Sequence, residues 1–230
     1  MQLIALTLGF VLLTVVVYFA MDVVYVKFHK PFLVPIITTT GVLIIVLTAF
    51  DIPYETYMIG GQWIDKLLGP AVVSLAVPLY KQRGLLKRHW FPIAAGVLAG
   101  SGTGMVTGVL FAKLAGFPKE LVLSLLPKSI TTPIAMQIAG QVGGVPALAA
   151  VFVIIAGISG VLISSWLLRA LGLDSPLGRG IGLGAATHAI GTSKAIEYGE
   201  QEASLSSVAM TLSAILGSLL GPVVAWLFYM

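Results

Sequence analysis

The chain has 230 residues, of which 58% are hydrophobic and 10% charged, with a formal charge of +4 and a mean hydropathy of +1.03. Soluble domains carry about 25% charged residues, so the composition excludes a soluble fold and describes an all-α polytopic membrane protein. The positive charge comes in short clusters between apolar runs, which reports membrane orientation rather than a nucleic-acid groove; cysteine is absent, which removes disulfides, thiolate metal sites and a thiol nucleophile.

The first apolar run, Leu3 to Val26, has no basic region before it and is followed by Lys27, His29 and Lys30. That is the reverse of a secretory signal, so it is expected to remain as a helix with its N-terminus outside. Further spans are expected at Phe32 to Phe50, Trp90 to Ala112, Val145 to Leu168 and Leu205 to Met230, each near the 20 apolar residues that a bilayer requires. Shorter or interrupted pieces lie between them: Leu67 to Tyr80, broken by Pro70 and Pro78; Leu121 to Gly144; and Ile181 to Gly199. The basic residues Lys81, Arg83, Lys87, Arg88 and His89, and later Arg169 and Arg179, are those expected on the cytoplasmic side. Asp51, Glu55 and Asp65, and the loop Lys113 to Glu120, are expected outside. With Val145 to Leu168 crossing once, Leu121 to Gly144 is expected to enter and return from the outer side and Ile181 to Gly199 from the inner side; a full crossing of both as interrupted helices is the alternative. Gly96, Gly100, Gly102, Gly104 and Gly108 along the Trp90 span read as a device for close helix packing.

Aligning 130–167 with 190–227 pairs Ile130/Ile190, Thr132/Thr192, Ala135/Ala195, Gln141/Gln201, Ala149/Ala209, Ile155/Ile215, Gly157/Gly217, Trp166/Trp226 and Leu167/Leu227, and sets Lys128 on His188. A repeat with an odd number of crossings recurs upside down, so 121–168 and 181–228 are candidate inverted repeats in a single membrane domain, 1–230, whose N-terminal helices occupy 1–66. The fold expected is an inverted-repeat, transporter-like bundle with two broken or re-entrant segments. Similar composition in two Ala/Gly/Ile-rich stretches is the competing explanation of the identities.

The chemistry sits in the broken segments, because interrupted backbone and polar side chains at membrane depth need protein or a wet cavity around them. Leu126-Pro127-Lys128-Ser129-Ile130-Thr131-Thr132-Pro133 carries a cation and three hydroxyls. Thr132 is expected to cap a half-helix with Pro133 at its first position, and Thr192 or Ser193 to do the same in the second segment. Two half-helix N-termini with Lys128 beside them suit a small organic anion. The expected binding residues are Lys128, Ser129, Thr131, Thr132, Thr192 and Ser193, with His188 as a proton-coupling residue. The plainer alternatives are a snorkelling Lys128 and a hydrogen-bonded packing role for His188. Lys194 and Glu197 read as a surface ion pair, and Glu200 and Glu202 as the aqueous end of the segment. No cofactor is expected, and His29, His89 and His188 are too scattered for a metal cluster. Gly157-Ile158-Ser159-Gly160 fits the short motif of rhomboid-type intramembrane serine proteases, but small-residue packing explains it as well, and the chain is expected not to be an enzyme.

Three stretches resemble the LrgB/CidB family: Leu68-Gly69-Pro70-Ala71 through Val77-Pro78-Leu79-Tyr80, then Leu126 through Ala135, then Ala186-Thr187-His188-Ala189-Ile190-Gly191-Thr192. The resemblance runs from about Leu67 to the C-terminus and is looser before it, where the Pro31-x-x-x-Pro35 turn agrees. It implies a multi-pass protein of the bacterial inner membrane, of a kind described as antiholin-like or as regulating murein hydrolases. Plant relatives are plastidic glycolate/glycerate transporters, and some bacterial relatives are associated with pyruvate uptake. The resemblance further implies a separate small LrgA/CidA-like membrane partner. The expected function is secondary transport of a small monocarboxylate of the glycolate, pyruvate or lactate type, with proton coupling; the alternative is a holin/antiholin-like protein that regulates murein hydrolases and lysis.

Overall fold

In a computed structural model, residues 2–28, 33 and 35–229 are described; His29, Lys30, Pro31 and Phe32, which the sequence places in a basic loop and a turn, lie outside them. The described residues form helices joined by turns, with no strand among them, and four helices are long and apolar enough to cross a membrane. The chain forms two compact units, 1–70 and 71–230.

The first unit holds α1 (Gln2–Phe28), α2 (Pro35–Ala49) and α3 (Tyr54–Asp65), and α4 (Leu68–Ser74) begins at its end. Helix α2 has 15 residues, shorter than the span expected from Phe32 to Phe50. Helix α3 falls where an outer loop was expected. Its Gly60 lets the backbone approach α1 so closely that a Cβ there would stand 2.7 Å from that of Phe10. Tyr57 completes the contact, with its ring edge-on to Phe10 and its hydroxyl 3.0 Å from Thr14 Oγ1.

The second unit is built on three long helices, α7 (Trp90–Leu114), α10 (Pro146–Ala170) and α12 (Glu200–Tyr229). Before them, α4 and α5 (Ala76–Lys81) are separated at Leu75, and α6 (Arg83–Arg88) is a short basic helix. Between the long helices lie the two interrupted segments: α8 (Lys119–Leu125) with α9 (Thr132–Val142), and α11 (Pro176–Ile196).

Both interrupted segments fold back on themselves. In the first, the Ser124 hydroxyl donates to Glu120 O at 2.6 Å and accepts from Val145 N at 2.7 Å, so the end of the segment returns to its beginning. Gly143, at φ 90°, supplies the left-handed turn that ends α9. In the second, a straight α11 would hold Arg179 and Tyr198 about 28 Å apart, yet the Arg179 guanidinium lies 5.2 Å from the Tyr198 ring. The reversal occurs at His188, whose φ of 43° and ψ of −131° break the helix.

The hairpins enter from opposite ends. Lys113 and Lys119, at the mouth of the first, reach Tyr229 at the C-terminal end of α12. Gly180, at the mouth of the second, lies beside Glu202 and Leu205 at its N-terminal end. One apolar cluster surrounds each hairpin: Met105, Leu126, Ile130 and Ile138 in the first, and Ile93, Ile181, Ala185 and Leu205 in the second. Lys81, Arg83, Lys87, Arg88, Arg169 and Arg179 all belong to the second end, which Gln82 joins to α12 through Ser204 Oγ at 3.1 Å. Glu200 is exposed, but Glu202, expected in water, is buried against Gly180 and Gly199. Many apolar side chains are exposed, with Trp90, Trp166 and Trp226 near the helix ends, as suits helices that cross a bilayer.

Glycines set how near the hairpins come. A Cβ at Gly184 would collide with the Ser206 backbone of α12, whereas one at Gly182 meets nothing within 4 Å. Gly184→Ala is therefore expected to destabilise the protein by about 1–3 kcal/mol and Gly182→Ala to be neutral or mildly stabilising. Thermal unfolding of the two variants in detergent checks the difference.

Candidate functional site

Pro127 and Pro133 keep the backbone from closing into a helix through 126–131, and the turn between them carries the polar groups. The residue at the N-cap position of α9 is Thr131 rather than Thr132, which is a correction to the sequence reading. Thr131 takes the extended conformation of a cap (φ −59°, ψ 139°), and Pro133 follows at the second helical position. The Thr131 hydroxyl does not cap the helix; it is buried and has no partner. Among the described residues, the backbone N–H groups of Ser129, Thr131 and Thr132 donate to no protein acceptor, and neither do the Ser129 and Thr132 hydroxyls.

Lys128 turns from this tip onto α7. Its ammonium donates to Gly104 O at 2.7 Å, and a Cβ at Gly108 would stand 2.6 Å from Nζ. Gly104 likewise admits Ser129, whose Oγ would lie 3.4 Å from a Cβ there. Two of the glycines read as packing positions thus also seat the polar tip. Gly104 stands 10 residues before the end of the 25-residue α7, about 15 Å along the helix and so near its middle. No carboxylate pairs with Lys128: the ion pairs among the described residues are Arg179–Asp174 and Lys194–Glu197. The second of these is the surface pair expected from sequence.

The second tip is organised differently, and the positions expected to cap it are corrected. The break is at His188, so the returning half-helix starts at 189, and Thr192 and Ser193 already lie within it. Thr192 Oγ1 is 3.1 Å from His188 O and 3.0 Å from Ser206 Oγ, which ties the half-helix to α12. Ser193 is exposed and donates to Ala189 O at 3.2 Å. The buried His188 ring places Nε2 3.0 Å from Val153 O of α10. Gly157 makes room for that ring, since a Cβ there would lie 2.7 Å from Cε1. A residue other than glycine in this backbone conformation costs about 1–3 kcal/mol, and the bond to α10 helps to hold it. Ser159 of the protease-like motif donates to Ile155 O on an exposed face, so it does not address His188.

The two hairpins approach one another on α7. Ala185 of the second hairpin packs at Gly100 and Ser129 of the first at Gly104, one turn of about 6 Å apart. Each tip joins the C-terminal end of an entering half-helix to the N-terminal end of a returning one, so their dipoles largely offset. Lys128 and the free N–H groups make the first tip electropositive. The structure therefore concentrates the candidate residues Lys128, Ser129, Thr131 and Thr132 in one place and leaves Thr192 and Ser193 in other bonds. Sequence reasoning missed the contributions of Gly104, Gly108 and the Val153 carbonyl. A groove of about 680 Å³ on α1, lined by Ala5, Leu6, Gly9, Phe10 and Leu13, has none of these polar groups.

A multi-pass, all-α membrane protein with two polar hairpin tips between its long helices is the class that this geometry defines. The chain belongs to the LrgB-like family, whose model matches residues 14–227. It is 53% identical to YxaC of Bacillus subtilis (strain 168) over 229 residues, covering 100% of both chains. It is 39% identical to YwbG of the same strain, over 89% of this chain and 91% of that one. Holin-like protein CidB of Staphylococcus aureus (strain N315) is 37% identical over 95% of this chain and 96% of its own. No solved structure matches.

The seat of Lys128 makes a specific demand on α7. Gly108→Ala is expected to expel the ammonium from the Gly104 carbonyl while leaving a folded protein, because the displaced group is the end of a flexible side chain. A chemical-shift change of the 15N-labelled Lys128 ammonium, with an unchanged melting temperature, is the expected result.

Proposed function

We propose that the chain carries a small monocarboxylate of the glycolate, pyruvate or lactate type across the bacterial inner membrane. One observation supports this above the others. An ammonium without a carboxylate partner stands beside three free N–H groups and three unbonded hydroxyls near the middle of a membrane-spanning bundle. Donors so placed suit a carboxylate, and a neutral or cationic solute would leave them unsatisfied. Hairpins entering from opposite ends, each followed by a long helix, suit inverted repeats 121–168 and 181–228 and access alternating between the two sides. In this reading the basic end faces the cytoplasm, and a small LrgA/CidA-like membrane protein is the partner.

A second reading is favoured by the name of the relative CidB, holin-like protein: a membrane protein that regulates murein hydrolases and lysis without a defined solute. Flux into proteoliposomes separates the two. Saturable uptake that discriminates among small carboxylates supports the carrier, and leakage of unrelated solutes supports the holin-like reading. For the carrier, Lys128→Ala is expected to lower uptake about 30-fold or more with the fold retained; wild-type uptake by that variant removes Lys128 from the mechanism.

His188 enters the proposal as the residue that fixes the second tip and as the proton carrier. An imidazole is the kind of side chain that can take up and release a proton in a transport cycle, once water reaches it. His188→Gln keeps a donor for Val153 O and removes that titration. Uptake that no longer depends on an imposed proton gradient is the expected outcome, and an unaltered dependence ends the proton role.

A further inference from the structure

Three buried hydroxyls of the second unit have no hydrogen-bond partner: Ser101 on α7, Ser213 on α12 and Thr131 at the first tip. Hydroxyls in apolar helices ordinarily donate to the carbonyl four residues back. Their neighbours do so: Thr103 to Ala99 O and Thr107 to Thr103 O on α7, and Thr211 to Ser207 O and Ser218 to Ala214 O on α12. Ser101 and Ser213 do not. Alanine would fill the same space without burying an unpaired polar atom, so these two positions need an explanation other than packing.

Their placement supplies one. On α7, Ser101 stands between Gly100, where the second hairpin packs through Ala185, and Gly104, where the first packs through Ser129. On α12, Ser213 stands between Met210, 3.9 Å from Thr192 Oγ1, and Gly217, which receives Ile130 next to Thr131. The two long helices meet at Met105 and Gly217, one turn beyond each serine, with 3.3 Å from Met105 Cε to a Cβ at Gly217. Each serine therefore lies between a contact of the second hairpin and a contact of the first, on one of the two helices that both hairpins share.

We propose that Ser101 and Ser213, with Thr131, form the specificity-determining half of the site and hydrogen-bond a hydroxyl or keto oxygen on the carbon next to the substrate carboxylate. This rests on the carrier reading, in which Lys128 and the tip N–H groups take the carboxylate. A site built to bond such an oxygen rejects the analogue that lacks it, because its own buried polar groups are then left unpaired. The ligand class is a short 2-hydroxy or 2-oxo acid, and the corresponding unsubstituted acid is discriminated against.

Calorimetric titration of the purified full chain in nanodiscs tests this with matched pairs, glycolate against acetate and lactate against propionate. The wild type is expected to prefer the oxygenated acid at least tenfold. Ser101→Ala and Ser213→Ala are each expected to cut that ratio at least fivefold by weakening the oxygenated acid alone, with melting temperatures no lower than the wild type's. An unchanged ratio, or equal weakening of both acids, overturns the assignment and leaves the carrier reading standing. A wild type that binds all four acids equally does the same, and one that binds none of them overturns both.

Discussion

The bond from the Lys128 ammonium to the Gly104 carbonyl, 2.7 Å long and made near the middle of α7, constrains everything around it. A cation at that depth is costly unless it meets polar groups or water, and one carbonyl uses only one of its three donors. Its surroundings must therefore be open enough to keep the remaining donors satisfied. Gly108 gives the ammonium its space, Gly104 gives Ser129 its own, and the two prolines hold the chain out of the helix that would otherwise turn these groups elsewhere.

The rest of the second unit supports two interrupted segments that could not stand alone in lipid. Each ties its own ends together, one through Ser124 and Val145 and the other through Arg179 and Tyr198. Each then buries its apolar side chains against a different half of the same long helices. The second tip carries no cation and is held by partnered groups, His188 on Val153 O and Thr192 on Ser206. The two hairpins thus divide the work: the first presents free donors, while the second is bonded to its neighbours and closes the space from the other end.

Much of this was legible in the sequence, because hydropathy and loop charge respond directly to the bilayer. The spans at Trp90, Val145 and Leu205, the two interruptions, and their approach from opposite ends follow from apolar run lengths and the positions of Lys and Arg. What escaped depended on close contact in three dimensions. The 12-residue α3 is short and half-buried, and its Gly60-Gly61 pair reads locally as a helix breaker until α1 is placed against it. Thr192 and Ser193 align with the first segment in sequence, but the second reversal comes at His188, a positive-φ residue with no glycine signature. Ser101 and Ser213 look like ordinary small residues; only the absence of the usual bond to the preceding turn sets them apart.

A paired-hairpin site requires both segments to reverse within the membrane, and the absence of native cysteine makes that directly measurable. Single cysteines at Asp174, Glu197, Lys119 and Gln141, all at exposed positions near the ends of the hairpins, can be labelled with a membrane-impermeant maleimide in sided vesicles. Asp174 and Glu197 are expected to label from one face and Lys119 and Gln141 from the other. Labelling of Asp174 and Glu197 from opposite faces would mean that α11 crosses the bilayer, and the paired-hairpin site would not exist.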